Sequence, residues 1–385
     1  MSPRAVNDNI IGNVEMPYQQ RSTIAADRTG CTRVLIHSHV FAPSVGGSES
    51  ACSLLADGLL RRGCEVRVVT NTPTLRPIPQ EALVFRQPST RQLYRLVQWA
   101  DVVVHSNISL RVTWPLLLGR KPWVIIHHSL LTTTEGTRRL REWLKLGASF
   151  FATNIAVSKA TAASLMCRTH VIANGYRDRI FRPMPEASRE RDLIFVDRLV
   201  PSKGVDTAMR ILAKLREEGL QSELTIIGGG PCDRELRELA SSLGIANAVH
   251  FLGFCPPEQI ARALNEHKVL LAPSRGMETF GLVAIEALAC GCIPLVSAVG
   301  GLGETVENHG VVIPEHDIDG FVSAARRLLQ SKDERALRMN GIEAYLERFH
   351  EQNVVDAYAE VIEGAVPDRS AREVAKANLP VSALQ

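Results

Sequence analysis

Residues 182–227 read RPMPEASRERDLIFVDRLVPSKGVDTAMRILAKLREEGLQSELTII. The first ten, Arg182 to Arg191, are polar, hold two prolines and lack periodicity, which marks a linker. Leu193 to Val196 is then a short apolar run of strand type. Val205, Met209, Leu212 and Leu215 follow at helical spacing and Gly219 ends the helix. Leu224 to Ile227 is a second apolar strand. A linker followed by strand, helix and strand is the start of a parallel α/β domain.

The same alternation extends both ways. Downstream, Leu236, Leu239 and Leu243 mark a helix before Gly244. Val249–Leu252 and Val269–Ala272 are strands around a helix entered at Pro256-Pro257. Leu282–Ala289 is an apolar helix and Ile293–Ser297 a strand. Upstream, Arg33–His37, Glu65–Thr70, Asp101–His105, Trp123–His127 and Asn154–Ser158 are strand candidates. Glu49–Arg62 is a helix with Leu54, Leu55, Leu59 and Leu60 near helical spacing. The fold class is therefore α/β, with two doubly wound, Rossmann-like parallel-sheet domains facing across a cleft. The expected division is an extension over 1–30, an N-terminal domain over 31–183, a linker over 184–191 and a C-terminal domain over 192–348. A closing helix over 349–366 carries Val354, Ala357, Ala359, Val361 and Ile362 in a helical pattern, and a tail runs over 367–385.

The 385 residues exceed one small domain. With 45% hydrophobic and 22% charged residues, the chain is neither wholly disordered nor a coiled coil. No stretch approaches the ~18–20 apolar residues that span a bilayer. Met1–Gly30 has no apolar core, so a secretory signal is not expected and the expected compartment is the cytosol. The eight cysteines are then expected to be free, with Cys290 and Cys292 as small core residues. The net charge of +3 hides an asymmetry. Residues 1–183 carry 23 Lys and Arg against 11 Asp and Glu, a formal +12. The remainder carries 21 against 30, or −9. Arg91 to Lys145 alone holds nine cations, which fits either a solvated surface or an anionic partner. Interleaved aromatics are sparse, so no nucleic-acid partner is expected.

Several residues sit where α/β domains keep their chemistry. Glu278 lies in a strand-to-helix loop, and Glu286 is set in the apolar run after it. A carboxylate there is costly unless it is hydrogen-bonded, either to a neighbouring loop or to ligand hydroxyls. The helix start at Thr279-Phe280-Gly281 offers free amides to an anion. Arg198 and Lys203 follow a strand and suit a diphosphate; taken alone they are two surface cations. Gly228-Gly229-Gly230 and Gly46-Gly47 lie between strand and helix, where backbone can approach a ligand or simply turn. His127 and His128 end a strand, and either can be structural or face a substrate. No metal-ligand spacing accompanies them.

Taken together, these elements resemble the retaining glycosyltransferases of family 4, with the GT-B fold. The resemblance runs from about Arg33 to Ile362. It rests on Glu278-x7-Glu286, on Ala287–Ser297 and Gly300-Gly-Leu-Gly-Glu304, and on Arg198-Leu-Val-Pro-Ser-Lys-Gly204. Ile226–Pro231, Pro43-Ser-Val-Gly-Gly47 and Asn174-Gly175 complete it. The resemblance implies that the N-terminal domain binds the acceptor, the C-terminal domain binds a nucleotide sugar, and the last helix crosses back. It implies that Arg198 and Lys203 hold the diphosphate and Glu278 the sugar hydroxyls. Phe280, Gly281 and Leu282 would turn backbone amides to sugar and phosphate, and Glu286 would take the ribose. Gly46, Gly47 and Gly229 would let backbone close on the donor. His128, six residues after Pro122, would lie beside the anomeric centre with acceptor contacts, and His127 is its alternative. No cofactor or metal is implied. Sugar would pass from a nucleotide-diphosphate sugar to a glycan, lipid-linked or polysaccharide acceptor with same-face attack, as in bacterial cell-surface polysaccharide or glycolipid synthesis. The basic N-terminal domain could meet an anionic membrane surface. Asp197 departs from the pattern, standing where a glycine is usual before the arginine. After Asn174-Gly175, Tyr176-Arg177 replaces the usual Val-Asp. The competing readings are a non-catalytic nucleotide-sugar- or glycan-binding protein on the same fold, and a dinucleotide enzyme. The latter lacks its glycine spacing at Pro43–Gly47.

Overall fold

The computed structural model describes residues 31–41, 46–73, 83–110, 112, 113, 116, 121–131, 140–276 and 278–366. The extension over 1–30, the tail over 367–385 and Pro43-Ser44-Val45 of the first glycine loop lie outside the described residues. Two parallel sheets form the frame. The first is built from β1 (Arg33–Ser38), β2 (Glu65–Thr70), β3 (Val84–Arg86), β4 (Val102–Ser106), β5 (Trp123–His127), β6 (Thr153–Ala156) and β7 (Thr169–Val171). Its helices are α1 (Gly47–Arg61), α2 (Thr90–Trp99), α3 (Leu140–Ser149) and α4 (Lys159–Ala163). Strands β8 (Arg191–Val196), β9 (Leu224–Ile227), β10 (Val249–Gly253), β11 (His267–Ala272), β12 (Ile293–Ser297) and β13 (Val311–Ile313) make the second. Around it stand α5 (Val205–Glu217), α6 (Asp233–Ser242), α7 (Pro257–Glu266), α8 (Leu282–Ala289), α9 (Leu302–Val306), α10 (Ile318–Gln330), α11 (Lys332–Met339) and α12 (Ile342–Leu346). Helix α13 (Glu351–Gly364) follows them.

The central strands are buried on both faces, which explains their unbroken apolar sequences. Every residue of β4 and β5 is buried. Removing one such Val, Leu or Ile from water contributes about 1.5–3 kcal/mol. The strand orders are β3-β2-β1-β4-β5-β6-β7 and β10-β9-β8-β11-β12-β13. Connections diverge between β1 and β4 in one sheet and between β8 and β11 in the other. Crevices open at the carboxyl ends of the strands at such switch points. The Gly46-Gly47 turn follows β1, Arg198 and Lys203 follow β8, and Glu278 follows β11.

The segment Arg182–Arg191 is more firmly held than its composition suggests. Arg189 donates to the carbonyl oxygens of Leu264 (3.1 Å), His267 (2.6 Å) and Cys290 (2.6 Å). Asn265 accepts from Met184 N and donates to Arg182 O. Arg191 already belongs to β8. Polar composition here reflects side chains that satisfy helix and strand ends of the second sheet. Helix α13 packs on α1. A Cβ on Gly58 would lie 2.4 Å from Val355 Cγ2, so the bare glycine lets the two helices touch. Arg61 and Arg62 pair with Glu351 and Asp356 across the same contact. One buried cluster runs from Val34 and Ile36 through Leu55 and Leu59 to Val354, Tyr358 and Ile362. It also includes Ile194, Leu264 and Ile285 of the second sheet. Cys290 and Cys292 are free and fully buried.

Candidate active site

Lys203 is the centre of the second-domain site. Its Nζ lies 2.6 Å from Glu278 Oε2 and 2.7 Å from Asp197 Oδ2. Burial works against the ammonium, but Asp197 and Glu278 outweigh it and hold its pKa above the ordinary value. Asp197 also accepts from the backbone N–H of Arg198 through Oδ1, at 2.7 Å. The acid at the unexpected position thus pairs with Lys203 and leaves the Arg198 guanidinium exposed, with no ion pair among the described residues. Two glycines permit this crowding. A Cβ on Gly204 (φ 70°) would fall 2.0 Å from Pro273 O, and one on Gly228 (φ 140°) would fall 1.8 Å from Asp197 O. Gly229 is different. It is exposed, a Cβ there would meet nothing within 4 Å, and its carbonyl accepts from Leu199 N at 3.0 Å.

Helix α8 begins behind Gly281, which takes a left-handed φ of 85°. The first-turn amides of a helix lack intrahelical partners, so this turn presents N–H groups and the positive end of the helix dipole. Phe280 contributes no side chain to the cleft. Its ring is buried 6.0 Å from that of Phe349, and its carbonyl accepts from Thr305 Oγ1. Glu286 lies on the first turns of the same helix. It has no hydrogen-bond partner among the described residues. Burial pushes its carboxyl up to about 8, with Asp197 adding to the rise and Arg177 opposing it. Arg177 is thus a functional candidate the sequence offered only as a departure from the family pattern.

The two histidines occupy different settings. His127 is packed in the sheet, 1% exposed, with Nε2 bonded to Asn154 Oδ1 at 2.9 Å. His128 lies just past β5. Its amide donates to Asn107 Oδ1 (2.9 Å) and its carbonyl accepts from Thr279 Oγ1 (2.9 Å), a hydrogen bond from the second domain to the first. Burial, with His127 beside it, pushes the His128 ring down to about 4, so at neutral pH it is an uncharged imidazole. A second cross-domain contact lies nearby: Glu304 accepts from the amides of Lys159 and Ala160, each at 2.8 Å, at the start of α4. In the first glycine turn, Gly46 is extended, and a Cβ on Gly47 would meet nothing within 4 Å. Asn107, Thr279 and Glu304 had no periodicity to reveal them, because their roles are single hydrogen bonds between distant loops.

Residues 45–178 match the family model described as Glycosyltransferase Family 4. Residues 177–344 match the one described as Glycosyl transferases group 1. Together the two models cover residues 45–344 and support a glycosyltransferase of family 4 type with the GT-B fold. A D-inositol 3-phosphate glycosyltransferase of Acidothermus cellulolyticus is 35% identical over 222 residues, 52% of this chain and 49% of that protein. One from Mycobacterium ulcerans is 32% identical over 238 residues, 56% and 50% respectively. The match thus spans about half the length of these relatives. Among solved structures, HepE of Anabaena, in complex with UDP and glucose, superposes with a TM-score of 0.75 at 20% identity. That match covers 86% of this chain and 100% of HepE. WaaG, a glycosyltransferase involved in lipopolysaccharide biosynthesis, gives 0.68 at 20% identity, covering 86% of this chain and 100% of WaaG. These likenesses confirm the fold. No helix among the described residues is long and apolar enough to cross a membrane.

The raised Glu286 carboxyl has a stability consequence. The unfolded chain releases this proton near 4.5, the folded chain near 8. Between those values the folded state binds more protons, so stability from this group is present at low pH and is lost as pH rises through the window. Glu286→Gln cannot titrate. Thermal melts from pH 4 to 9 are expected to show the Gln variant gaining on the wild type as pH rises above about 4.5. The gap should level off once the pH passes about 8. A constant gap across that range would mean that Glu286 is not perturbed.

Proposed function

We propose that this chain is a retaining hexosyltransferase that moves sugar from a nucleoside-diphosphate sugar to a glycan, lipid-linked or polysaccharide acceptor. The observation that carries the reading is the convergence, beyond β8 and β11, of Arg198, Lys203, Glu278, Glu286 and the α8 amides. That set offers cations and N–H donors to a diphosphate and carboxylates to sugar hydroxyls. Arg198, unpaired by any carboxylate among the described residues, is the first contact for the diphosphate. Lys203 must loosen its hold on Asp197 to follow. Glu278 takes sugar hydroxyls, Glu286 the ribose, and Phe280, Gly281 and Leu282 contribute backbone. Gly46, Gly47 and Gly229 leave room for the donor.

His128, uncharged, borders the anomeric centre and contacts the acceptor; His127, tied to Asn154, backs it. Charge develops on the leaving diphosphate as the glycosidic bond breaks, and the fixed cations and amides stabilise it without reorganising. In this reading no metal is assigned that task. The acceptor hydroxyl attacks from the face the diphosphate leaves, and a phosphate oxygen takes its proton. The HepE complex with UDP-glucose supports trying the uridine series first.

A thermal-shift panel of UDP, GDP, ADP and their common sugar conjugates tests the donor site. A ligand at about a thousand times its Kd stabilises by about 4 kcal/mol. One nucleotide series should shift the wild type and fail to shift Glu286→Ala, while Asp197→Asn, which leaves Lys203 paired with Glu278 alone, should enlarge the shift. No shift with any nucleotide would remove the donor reading. An NMR time course with the donor so identified should show the α-configured donor giving an α-linked product; inversion would refute same-face attack.

The partner of the first domain is read from α3. Leu140, Trp143, Leu144, Phe150 and Phe151 are each more than half exposed. Positions 140, 143 and 144 fall on one helical stripe beside Arg141 and Lys145, and Phe150 and Phe151 lie in the turn that follows the helix. Tyr94 is exposed on α2, flanked by the exposed Arg91 and Arg95. Apolar and aromatic side chains among cations complement an anionic lipid surface. The full chain is expected to sediment with vesicles containing phosphatidylglycerol and not with pure phosphatidylcholine. At about 1 kcal/mol per cation, Arg141→Glu with Lys145→Glu should weaken binding by about thirtyfold or more. Trp143→Ser with Phe151→Ser should also weaken it. Equal binding by all variants would refute α3 as the contact.

A further inference from the structure

His128 is held at both ends of one residue by groups from opposite sides of the cleft. Its amide donates to Asn107 Oδ1 at 2.9 Å, and its carbonyl accepts from Thr279 Oγ1 at 2.9 Å. Asn107 lies one residue past β4 and takes a left-handed φ of 63°, unusual for any residue but glycine and easiest for asparagine. That turn is fixed by its own amide, which donates to Ile126 O at 2.8 Å. The side-chain oxygen then meets two donors of the loop after β5, His128 N and Ser129 Oγ, the second at 3.1 Å. A strained backbone whose side chain serves a neighbouring loop points to a constraint on that loop.

Thr279 stands on the other side. Its neighbours are anchored independently: Glu278 by Lys203, and Phe280 by Phe349 and Thr305. The Glu278 carbonyl accepts from Gly301 N at 2.8 Å, and a Cβ on Gly301 would fall 2.2 Å from Thr279 O. The Thr279 hydroxyl is therefore delivered to the His128 carbonyl by a loop with little freedom. Separation of the domains breaks this hydrogen bond and leaves the Asn107 contact intact.

We infer that Asn107 and Thr279 are positioning residues for His128: Asn107 fixes the histidine within its own domain, and Thr279 makes its final placement depend on docking of the Glu278–Phe280 loop. The inference rests on the reading that His128 borders the reacting sugar. Its consequence is ordering. The histidine reaches its working position only after the loop that holds the donor has closed on the first domain. Such a link lets an enzyme withhold reaction geometry until the donor is seated.

The first test needs no ligand. Hydrogen exchange of the full chain is followed in the peptides covering 126–131 and 278–282. Thr279→Val keeps the shape and loses the donor, leaving a carbonyl unsatisfied. It should speed exchange in both peptides, and Thr279→Ser should restore wild-type exchange. Asn107→Gly keeps the left-handed turn and loses the oxygen. It should speed exchange over 126–131 only. Unchanged exchange over 126–131 in Thr279→Val would overturn the coupling, whatever the protein's reaction is. The second readout is turnover of the sugar nucleotide that the wild type consumes. Thr279→Val should lower kcat about ten- to a hundredfold, with donor KM within about twofold. A rise in KM at unchanged kcat would make Thr279 an ordinary donor contact and overturn the positioning role. A wild type that consumes no sugar nucleotide would overturn the proposed reaction, with the exchange result still deciding whether the loops are linked.

Discussion

One ammonium between two carboxylates organises the second half of the molecule. Lys203 joins Asp197, at the end of β8, to Glu278, beyond β11. These strands are neighbours at the point where the connections of the sheet diverge. The arrangement forces three loops into backbone contact, and Gly204 and Gly228 are the positions where a side chain would collide with carbonyl oxygens. Arg275 closes the same junction: its amide donates to Ser202 O at 2.8 Å, and its guanidinium binds Asp206 and Thr207. Breaking one member of a part-buried trio of charges leaves the others uncompensated, so the loops move as a unit.

Among its described residues, the first domain has no comparable charge cluster at the carboxyl ends of its strands. It places an uncharged histidine there, secured by neutral hydrogen bonds, beside other histidines kept neutral by burial. His37 and His105 stand in register on β1 and β4 with ring centroids 5.1 Å apart, and burial holds His105 well below the ordinary imidazole value. The two halves thus divide the electrostatic work. One fixes a cluster of charges at its strand ends, and the other presents uncharged polar groups. The cross-domain bonds from Thr279 and Glu304 end on backbone groups of the first domain rather than on its charged side chains.

The two-sheet architecture was legible because buried parallel strands leave continuous apolar runs, and β5 and β12 fall on the residues read as strands. Glu286 was legible because a carboxylate in an apolar run is conspicuous. The bounds of α3 were not legible within a stretch read as a solvated helical surface or a partner surface: Leu140, Trp143 and Leu144 face solvent while Leu146 and Ser149 are buried, so the apolar period marks an outer face. The linker character of Arg182–Arg191 was read from polarity, but polarity there serves Arg189 and its three carbonyl partners. Composition cannot distinguish a solvated arginine from one that satisfies helix ends. The pairing of Asp197 with Lys203 was equally hidden, since six residues of separation carry no periodic signal.

If the proposed donor site is correct, its acids bear on how it would work. Asp197 and Glu278 stand against Lys203 and Arg198, and burial holds Glu286 in its neutral form, so the site carries no large surplus of positive charge. Tight capture of any diphosphate would call for such a surplus. A site that must release a nucleotide diphosphate after each turnover is better served by balance. Lys203 is pre-paired and can be drawn partly away from Asp197, so the net gain on binding is the difference between two ion pairs rather than the whole of one. The interaction grows as charge accumulates on the leaving diphosphate, because a more negative partner competes better with Asp197. On that reading Asp197, standing where the resemblance leads one to expect glycine, would weaken the ground-state complex more than the transition state. Binding energy withheld from the ground state in this way appears in the rate rather than in the affinity.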